Sequence, residues 1–273
     1  MVRFKPMNVT DRIVFQKPRY FLIVLIIAMI CGVLLITSKT YGTKHDPPPF
    51  YPGERLTYGI RWGIIPVGEG VLSVYPLREV NGRDAYHFEL KVTSYPFLDS
   101  FYKVRDNISS YVAKDLTRSY YYRKKQREGR TKRDIIVVFD WDKKQAGYSN
   151  FGKEKPPVNI LPGTLDPLSA LYFARLQNLD QLEEISVPVT DGKKCIIGKA
   201  NIVKRENITI ESGIFDTYLL EPDIEEIGGV FEKVKNAKIR VWLTADNRRI
   251  PVRVESKVAI GSFTAELISV VDE

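Results

Sequence analysis

The chain has 273 residues, enough for one large domain or two small ones with a hydrophobic core. Its 44% hydrophobic and 27% charged residues are ordinary for a folded protein and exclude a largely disordered chain. The formal net charge of +8 favours anionic partners only where the positive charge is concentrated, and Cys31 and Cys195 are too few for a disulfide scaffold.

Residues 20–37, YFLIVLIIAMICGVLLIT, form an apolar stretch without a charged side chain. As an α-helix this stretch would measure about 27 Å, close to the roughly 30 Å hydrocarbon thickness of a bilayer. No A-x-A cleavage sequence follows it, and the bulky Ile30 before Cys31 disfavours lipidation of that cysteine. We therefore expect an uncleaved transmembrane signal-anchor; cleavage of the stretch as a secretory signal is the alternative.

Basic residues are concentrated before this stretch. Five precede it, whereas Lys39 and Lys44 are the basic residues that follow it closely. Because positively charged segments stay on the cytoplasmic side, residues 1–19 are expected in the cytoplasm and the chain after residue 38 outside it.

Residues 38–52 contain the run Pro47, Pro48 and Pro49, which favours extended polyproline geometry. We interpret this segment as a short stiff tether. Residues 53–273 then form the outer domain.

The outer domain opens with period-two patterns that are typical of β-strands. Leu56, Tyr58, Ile60 and Trp62 would share one face of a strand, and the sequence VLSVYPL that follows repeats the alternation. Gly63, Pro66 and Gly68 between the two runs have the turn chemistry of a hairpin.

Ten further segments show strand patterns joined by short connections. They are residues 84–95, 107–114, 117–126, 133–141, 181–189, 195–210, 215–223, 234–244, 249–258 and 263–271.

Residues 164–179, TLDPLSALYFARLQNL, predict a helix instead. Asp166 is placed as an N-cap and Pro167 occupies the first helical position. The stripe of Leu168, Leu171, Tyr172 and Leu176 is widened by Ala170, Phe173 and Ala174, so the helix is apolar most of the way round and requires burial on most sides. The expected fold is mainly β: a curved antiparallel sheet, or open half-barrel, wrapped around one central helix and preceded by a single transmembrane helix.

The start of the outer domain resembles a family of exported bacterial proteins of unknown function that open with GE-x-L-x-Y-x-I-x-W-G-x-x-P-x-G-E-G. The matching residues are Gly53, Glu54, Leu56, Tyr58, Ile60, Trp62, Gly63, Pro66, Gly68, Glu69 and Gly70. The LDPLSALYFAR helix and the ending VWLTADNRRIPVRVES…GSFTAEL are similar to the same family.

The resemblance implies a half-barrel similar to that of lipoprotein-carrier proteins and a location in the cell envelope, and it brings no catalytic residues. With the expected topology, the protein would be a single-pass protein of the bacterial inner membrane whose C-terminal domain lies in the periplasm.

Catalytic and metal-binding patterns are not found in the sequence. The two histidines and one outer cysteine do not assemble a zinc site, and no G-x-S-x-G elbow, Walker loop or Rossmann fingerprint occurs. We therefore expect no enzyme activity, no cofactor and no metal.

The segment 114–133, KDLTRSYYYRKKQREGRTKR, concentrates nine basic residues against two acidic ones. A hairpin turning at Glu128-Gly129 would present them to anionic lipid headgroups, lipopolysaccharide phosphates or an acidic protein partner. The alternative is a solvated edge whose charges block strand pairing, and nucleic acid is not expected outside the cytoplasm. The predicted contact residues are Arg123, Lys124, Lys125, Arg127, Arg130, Lys132 and Arg133.

A short helix can cover only part of a large curled sheet, so we expect an apolar groove between them. Its predicted lining is Tyr58, Ile60, Trp62, Leu72, Leu168, Leu171 and Tyr172. The first hypothesis for function is a non-enzymatic, membrane-tethered envelope protein that binds or carries a lipid, an acyl chain or another hydrophobic ligand. The second is a scaffold subunit of an envelope complex without a ligand of its own.

Overall fold

The computed structural model describes residues 48–223, 238–258 and 261–272. The predicted cytoplasmic segment, the predicted span 20–37 and most of the tether lie outside these residues. Within the described ranges, no helix has the length and apolar character needed to cross a bilayer.

Fourteen strands in the described part of the chain form one antiparallel sheet. They are β1 (Glu54–Trp62), β2 (Ile65–Val80), β3 (Arg83–Ser94), β4 (Arg105–Ala113), β5 (Ser119–Glu128), β6 (Thr131–Asp140), β7 (Gln145–Asn150), β8 (Lys153–Asn159), β9 (Glu184–Thr190), β10 (Cys195–Ile210), β11 (Gly213–Pro222), β12 (Lys238–Thr244), β13 (Pro251–Val258) and β14 (Gly261–Asp272). Two helices accompany them there: α1 (Pro96–Tyr102) follows β3, and α2 (Pro167–Leu176) lies between β8 and β9.

The sheet consists of two meanders joined at the middle. Strands β1 to β8 run outward on one side and β14 back to β9 on the other, with β1 paired to β14. The edges are therefore β8 and β9. This arrangement confirms the predicted mainly β fold with one large curved antiparallel sheet that does not close into a barrel.

The strands β7 and β8 and the helix α1 were not predicted from the sequence. β8 contains Pro156 and Pro157 and is largely exposed. Because proline cannot donate to a strand ladder, such a sequence is tolerated only at a sheet edge, which is where β8 lies.

Helix α2 begins as predicted, with Asp166 as its N-cap and Pro167 in the first turn. Its buried side faces β3, β4 and β9. Tyr172 stacks on Phe88 at 3.7 Å between ring centroids, and Phe50 packs edge-on against Tyr172 at 5.0 Å. Phe50 is fully buried, so this residue of the predicted tether belongs to the core of the domain, whereas Tyr51 and Pro52 after it are exposed.

The predicted helix stripe is wrong at one position. Leu176 is partly exposed, whereas Arg175 is fully buried. Leu176 is the last helical residue and Gln177 caps the helix, so its side chain lies where the helix leaves the sheet.

The two halves of the sheet curl towards each other around α2. Leu165, just before the helix, exchanges backbone hydrogen bonds with Pro188 and Thr190 of edge strand β9, at 2.9 and 3.0 Å. The β9–β10 turn reaches the other half: a Cβ placed on Gly192, whose φ is +86°, would lie 2.8 Å from Val137 of β6.

The ends of the sheet differ in their connections. We call "the rim" the end where the β1–β2 turn (63–64), α1 and the β5–β6 turn (129–130) lie. The first described residues and the start of β1 lie at the opposite end, which we call the N-terminal end.

Candidate functional site

The start of α2 is held by a buried carboxylate. One oxygen of Asp166 accepts the backbone N–H groups of Leu168 and Ser169 at 2.9 and 3.0 Å. The other accepts hydroxyl donors from Ser110 of β4 and Ser119 of β5, both at 2.5 Å, and from Ser169 at 2.7 Å. Burial raises the pKa of Asp166, and the hydroxyl donors act against that rise. The network fixes the helix on the inner face of the sheet.

An apolar cavity of about 70 Å³ lies between α2 and the inner face. It is lined by Tyr58, Ile60, Gly70, Leu72, Leu90, Val92, Ile108, Pro167, Leu168, Leu171, Pro251, Val254 and Ala265. Engineered apolar cavities of roughly 150 Å³ bind benzene. With about half that volume, the cavity has room for an apolar group smaller than benzene and would have to widen to hold an acyl chain.

Gly70 lines this cavity, and because it has no side chain it leaves part of the cavity open. It pairs with Tyr58 across β1 and β2, and an added Cβ would meet its nearest neighbours, Ile60 and Tyr58, at ordinary contact distances of 3.7 and 3.9 Å. A larger side chain here would enter the cavity without backbone conflict. The Tyr58 hydroxyl is buried and has no hydrogen-bond partner among the described residues, and burial raises its pKa well above the ordinary value.

The structure brings together five of the seven residues predicted to line the groove, namely Tyr58, Ile60, Leu72, Leu168 and Leu171. Tyr172 is buried beside Phe50 and Phe88 and does not line the cavity.

Trp62 departs further from the prediction. It shares the alternation of β1 but is its last residue, at the rim, where its side chain is 38% exposed. Its ring stacks on Phe263 of β14 at 6.4 Å between centroids. The residue belongs to the rim surface because the strand ends there, beyond the part of the sheet that α2 covers.

The predicted basic hairpin exists, with β5 and β6 joined by a two-residue turn at Gly129 and Arg130. Lys125, Arg127, Arg130 and Lys132 are exposed. Arg123 is half-buried and makes a bidentate ion pair with Asp134 at 2.9 and 2.8 Å. Arg133 is also only partly exposed.

The prediction that Lys124 is a surface contact residue of this hairpin is wrong. It is 4% exposed, because the two-residue period of β5 places Tyr122, Lys124, Gln126 and Glu128 on the inner face of the sheet. A buried ammonium cannot contact a membrane surface. The exposed basic residues of the hairpin therefore lie on its outer face and in its turn.

Lys124 belongs instead to a buried polar cluster near the rim, which we call the inner cluster: Asp106, Lys124, Gln126 and Glu128. Burial, followed by the negative charge of Asp106, raises the pKa of Glu128 to about 7. Burial also raises the pKa of Asp106 and lowers that of Lys124.

A second buried ionic group lies at the N-terminal end. Arg175 of α2 and Glu54 of β1 are both fully buried and form a bidentate ion pair at 2.6 and 2.9 Å. The guanidinium also donates to the carbonyls of Pro49 and Arg248, at 3.0 and 3.2 Å. Arg248 adds a second cation to Glu54 at 2.9 Å. We call Glu54, Arg175 and Arg248 the clasp.

The sequence pattern did not lead us to predict the inner cluster or the clasp. The inner cluster could have been predicted from the alternation that starts at Tyr122, since polar residues continue it on the inward face. Basic residues on both faces of β5 obscured this alternation. The pairing of Glu54 with Arg175 joins residues 121 positions apart and leaves no local pattern.

Metal ligation has no candidate in the described ranges, because no three His, Cys, Asp or Glu side chains there lie close enough together.

Comparisons with known proteins agree with the fold. A family model described as "Protein of unknown function (DUF3108)" matches residues 57–268. No curated protein matches the sequence. A similar solved structure is the crystal structure of a beta-barrel-like protein of domain of unknown function DUF1849 from Brucella abortus. It has a TM-score of 0.52 and 9% sequence identity, and covers 81% of this chain and 97% of that chain. At this identity the likeness shows the fold alone.

Proposed function

This chain belongs to the DUF3108 family of proteins of unknown function, and we propose that its domain is a non-enzymatic binding protein for a small hydrophobic ligand or acyl segment. The cell envelope is the proposed location, with residues 20–37 as the inner-membrane anchor and the domain in the periplasm. The observation that carries the proposal is the apolar cavity between α2 and the sheet.

The cavity supports binding because its wall is apolar and its opposite sides are held independently. The sheet side is part of continuous ladders, and the helix side is fixed by Asp166 and by the clasp. A preformed apolar site of this kind binds without a large ordering cost.

Photo-crosslinking tests this proposal with the full-length chain in phospholipid nanodiscs. A short fatty acid with a diazirine in its chain should label peptides that contain Tyr58 or Leu171. Gly70→Val, which fills the cavity, should reduce this labelling by about fivefold or more while the thermal unfolding midpoint changes little. Labelling confined to exposed residues, or unchanged by the substitution, would contradict the proposal.

The second candidate, a scaffold in an envelope complex, is favoured by exposed apolar side chains at the rim. Ile64 is 93% exposed and Phe101 is 86% exposed, and Trp62, Ile65 and Phe97 lie at the same end. The β5–β6 turn is adjacent, since Gly129 N–H donates to the carbonyl of Lys103 at 2.8 Å. Apolar residues beside basic ones fit an acidic partner surface.

The rim lies at the end of β1 opposite to Glu54, where the tether enters. Nine strand residues separate the two ends by about 30 Å. A domain held upright on the tether would therefore present the rim away from the anchoring membrane, which favours a protein partner over the inner-membrane surface.

Substitution of Lys125, Arg127, Arg130 and Lys132 by Glu tests this second candidate. In-cell crosslinking through a photoreactive residue at position 101 should yield a discrete protein adduct that the charge reversal removes. Salt-sensitive binding to anionic liposomes, lost in the same variant, would instead identify a lipid surface.

A further inference from the structure

Two adjoining grooves open at the N-terminal end of the domain. The larger one, of about 650 Å³, lies between the start of β3, the β4–β5 loop and the end of α2, and Pro48 of the tether also lines it. The smaller one, of about 290 Å³, lies between the β4–β5 loop, the β6–β7 turn and the segment after β8. Thr117 and Arg118 of the β4–β5 loop line both grooves, so the grooves form one continuous surface, which we call the basal surface.

The basal surface has an excess of positive charge. Its lining contains four basic side chains against two acidic ones, namely Arg83, Lys114, Arg118 and Lys144 against Asp84 and Asp115. Both carboxylates already have partners: Asp84 pairs with Lys114 at 3.7 Å, and Asp115 accepts the Thr117 hydroxyl at 2.7 Å. Within the described part of the chain, the other three basic side chains have no carboxylate partner. Their charge is therefore available to an anion from outside.

Arg118 lies at the centre of the basal surface and is suited to bind a phosphate. Its guanidinium lies over the ring of Trp141, 5.4 Å from the centroid, and the Trp141 indole is fixed by donating to the carbonyl of Ser119 at 2.8 Å. Stacking on one face of a guanidinium leaves the N–H donors at its edge free for phosphate oxygens.

Apolar side chains on the same surface favour a lipid as the source of the phosphate. Leu161 in the smaller groove is 45% exposed, and Leu176 in the larger groove is 36% exposed. Tryptophan beside basic and apolar residues is typical of protein surfaces that lie at the headgroup level of a bilayer.

The course of the chain brings the basal surface near the membrane. Only residues 38–48 separate the expected span from Pro48, and eleven residues reach at most about 40 Å when fully extended. The basal surface can therefore reach the headgroups of the bilayer in which the chain is anchored, whereas the rim lies about 30 Å farther along the strands.

We propose that the basal surface docks on anionic phospholipid headgroups of the anchoring membrane, with Arg83, Arg118 and Lys144 contacting the phosphates. Leu161 and Leu176 then lie at the interface, and the domain stands with its rim directed away from the bilayer. This inference goes beyond binding of a ligand in the cavity and rests on the proposed anchor, residues 20–37.

Photo-crosslinking of the full-length chain in nanodiscs tests the proposal. A photoreactive residue at position 161 should form phospholipid adducts at least about fivefold more often in nanodiscs that contain phosphatidylglycerol than in phosphatidylcholine alone. The same residue at position 64, on the rim, should form few lipid adducts in either. Equal adduct formation in the two lipids, or as many adducts at position 64 as at position 161, would overturn the proposal.

Charge reversal separates docking from a general attraction to anionic lipid. The triple variant Arg83→Glu, Arg118→Glu and Lys144→Glu should reduce the adducts at position 161 to the level seen in phosphatidylcholine. The charge-matched rim variant Lys125→Glu, Arg127→Glu and Arg130→Glu should leave them unchanged. If the first variant fails to fold, Arg83→Gln with Lys144→Gln, at two exposed positions, should still lower the adducts severalfold.

The outcomes distinguish this inference from the proposals on which it rests. A chain retained in the nanodiscs without lipid adducts at position 161 would reject docking and leave the anchor standing, whereas a chain that is not retained would reject both. A protein adduct at position 161 in cells, in place of lipid, would identify a protein partner and overturn the inference. The effect of Gly70→Val on labelling of the cavity is independent of all these results.

Discussion

The two ends of the domain bury charge in opposite ways. In the clasp, both oxygens of Glu54 and the guanidinium of Arg175 are used, and the cation also lies over the rings of Phe50 and Tyr172 at 5.3 and 5.4 Å. In the inner cluster, Glu128 is as deeply buried, but it interacts with another carboxyl group, that of Asp106, and with the Gln126 amide, and neither of its oxygens has a well-formed hydrogen bond among the described residues. The comparison teaches that a buried charge stabilises the fold where its partners carry the opposite charge, and makes stability depend on pH where a like charge lies beside it.

The clasp also explains how the domain closes at its N-terminal end. It joins β1, α2, the segment before β1 and the loop after β12 through one guanidinium. Arg248 extends it to the last strand by a bidentate contact with Asp272 at 2.9 Å. The inner cluster, by contrast, joins only the neighbouring strands β4 and β5, which the backbone ladder already holds.

The largest expected effect is the loss of the clasp. Arg175→Met keeps the apolar stem but leaves the Glu54 carboxylate buried with only Arg248 as a cationic partner. We expect the free energy of unfolding to fall by about 3–5 kcal/mol, measured by denaturant unfolding. Arg205→Met, which breaks an exposed pair with Asp216, is the control and should change little. If Arg175→Met also changed the free energy of unfolding only slightly, the clasp would not have the structural role assigned to it.

The inner cluster should make stability depend on pH, because burial and the charge of Asp106 raise the pKa of Glu128. The pKa of Glu128 in the folded protein is about 7, above its ordinary value of 4.5. Between these values the folded state holds a proton that the unfolded state has released, so stability decreases as pH rises from about 5 to 8. The decrease from this group is about 3 kcal/mol at most.

Other charged groups near Glu128 modify this dependence. The pKa of Asp106 is also raised, so this group too makes stability decrease with pH. The pKa of Lys124 is lowered, so this group makes stability increase with pH at higher pH. The positive charges of Arg133 and Lys193 lower the pKa of Lys124 further. Glu128→Met should flatten the pH profile between pH 5 and 8 and raise stability most at the upper end. Thermal unfolding of both proteins across this range checks the sign, since His87, whose pKa is lowered by burial, contributes equally to both. A difference in stability between variant and wild type that does not grow with pH would contradict the assignment.

The smallest effect is expected for an ion pair of good geometry at the surface. Arg123 and Asp134 form a bidentate pair, but their side chains are 35% and 25% exposed. Asp134→Asn should reduce the free energy of unfolding by about 0.2–1 kcal/mol, and less in high salt. If Asp134→Asn reduced the free energy of unfolding as much as Arg175→Met, the geometry of an ion pair, and not its burial, would determine its contribution to stability.

Much of the fold follows from local patterns. The alternation of Leu56, Tyr58 and Ile60 predicts both a strand and its inward face, and Asp166-Pro167 predicts where α2 begins. These predictions succeed because strand faces and helix caps depend on residues within one or two turns of the chain. The edge strand with Pro156 and Pro157 was missed because its pairing depends on a neighbour rather than on its own propensity.

The candidate site was predictable on its apolar side only. Tyr58, Leu72 and Leu171 line the cavity as predicted, because apolar residues at inward positions of a strand or helix are buried against the core. Lys124 was assigned to the surface because isolated charge in a sequence favours solvent, and its burial depends on the register of β5 within a closed inner face.

The sequence by itself therefore determined the strand periods, the helix start and the apolar half of the cavity, since each is set by neighbours along the chain. Only the tertiary structure decided that Arg175 meets Glu54, that Trp62 lies at the rim, and that Asp106, Gln126 and Glu128 face one another inside. The reason is that the cost of burying a polar group depends on its partners, and those partners lie on another strand or far away along the chain, so they come together only when the sheet and helix assemble.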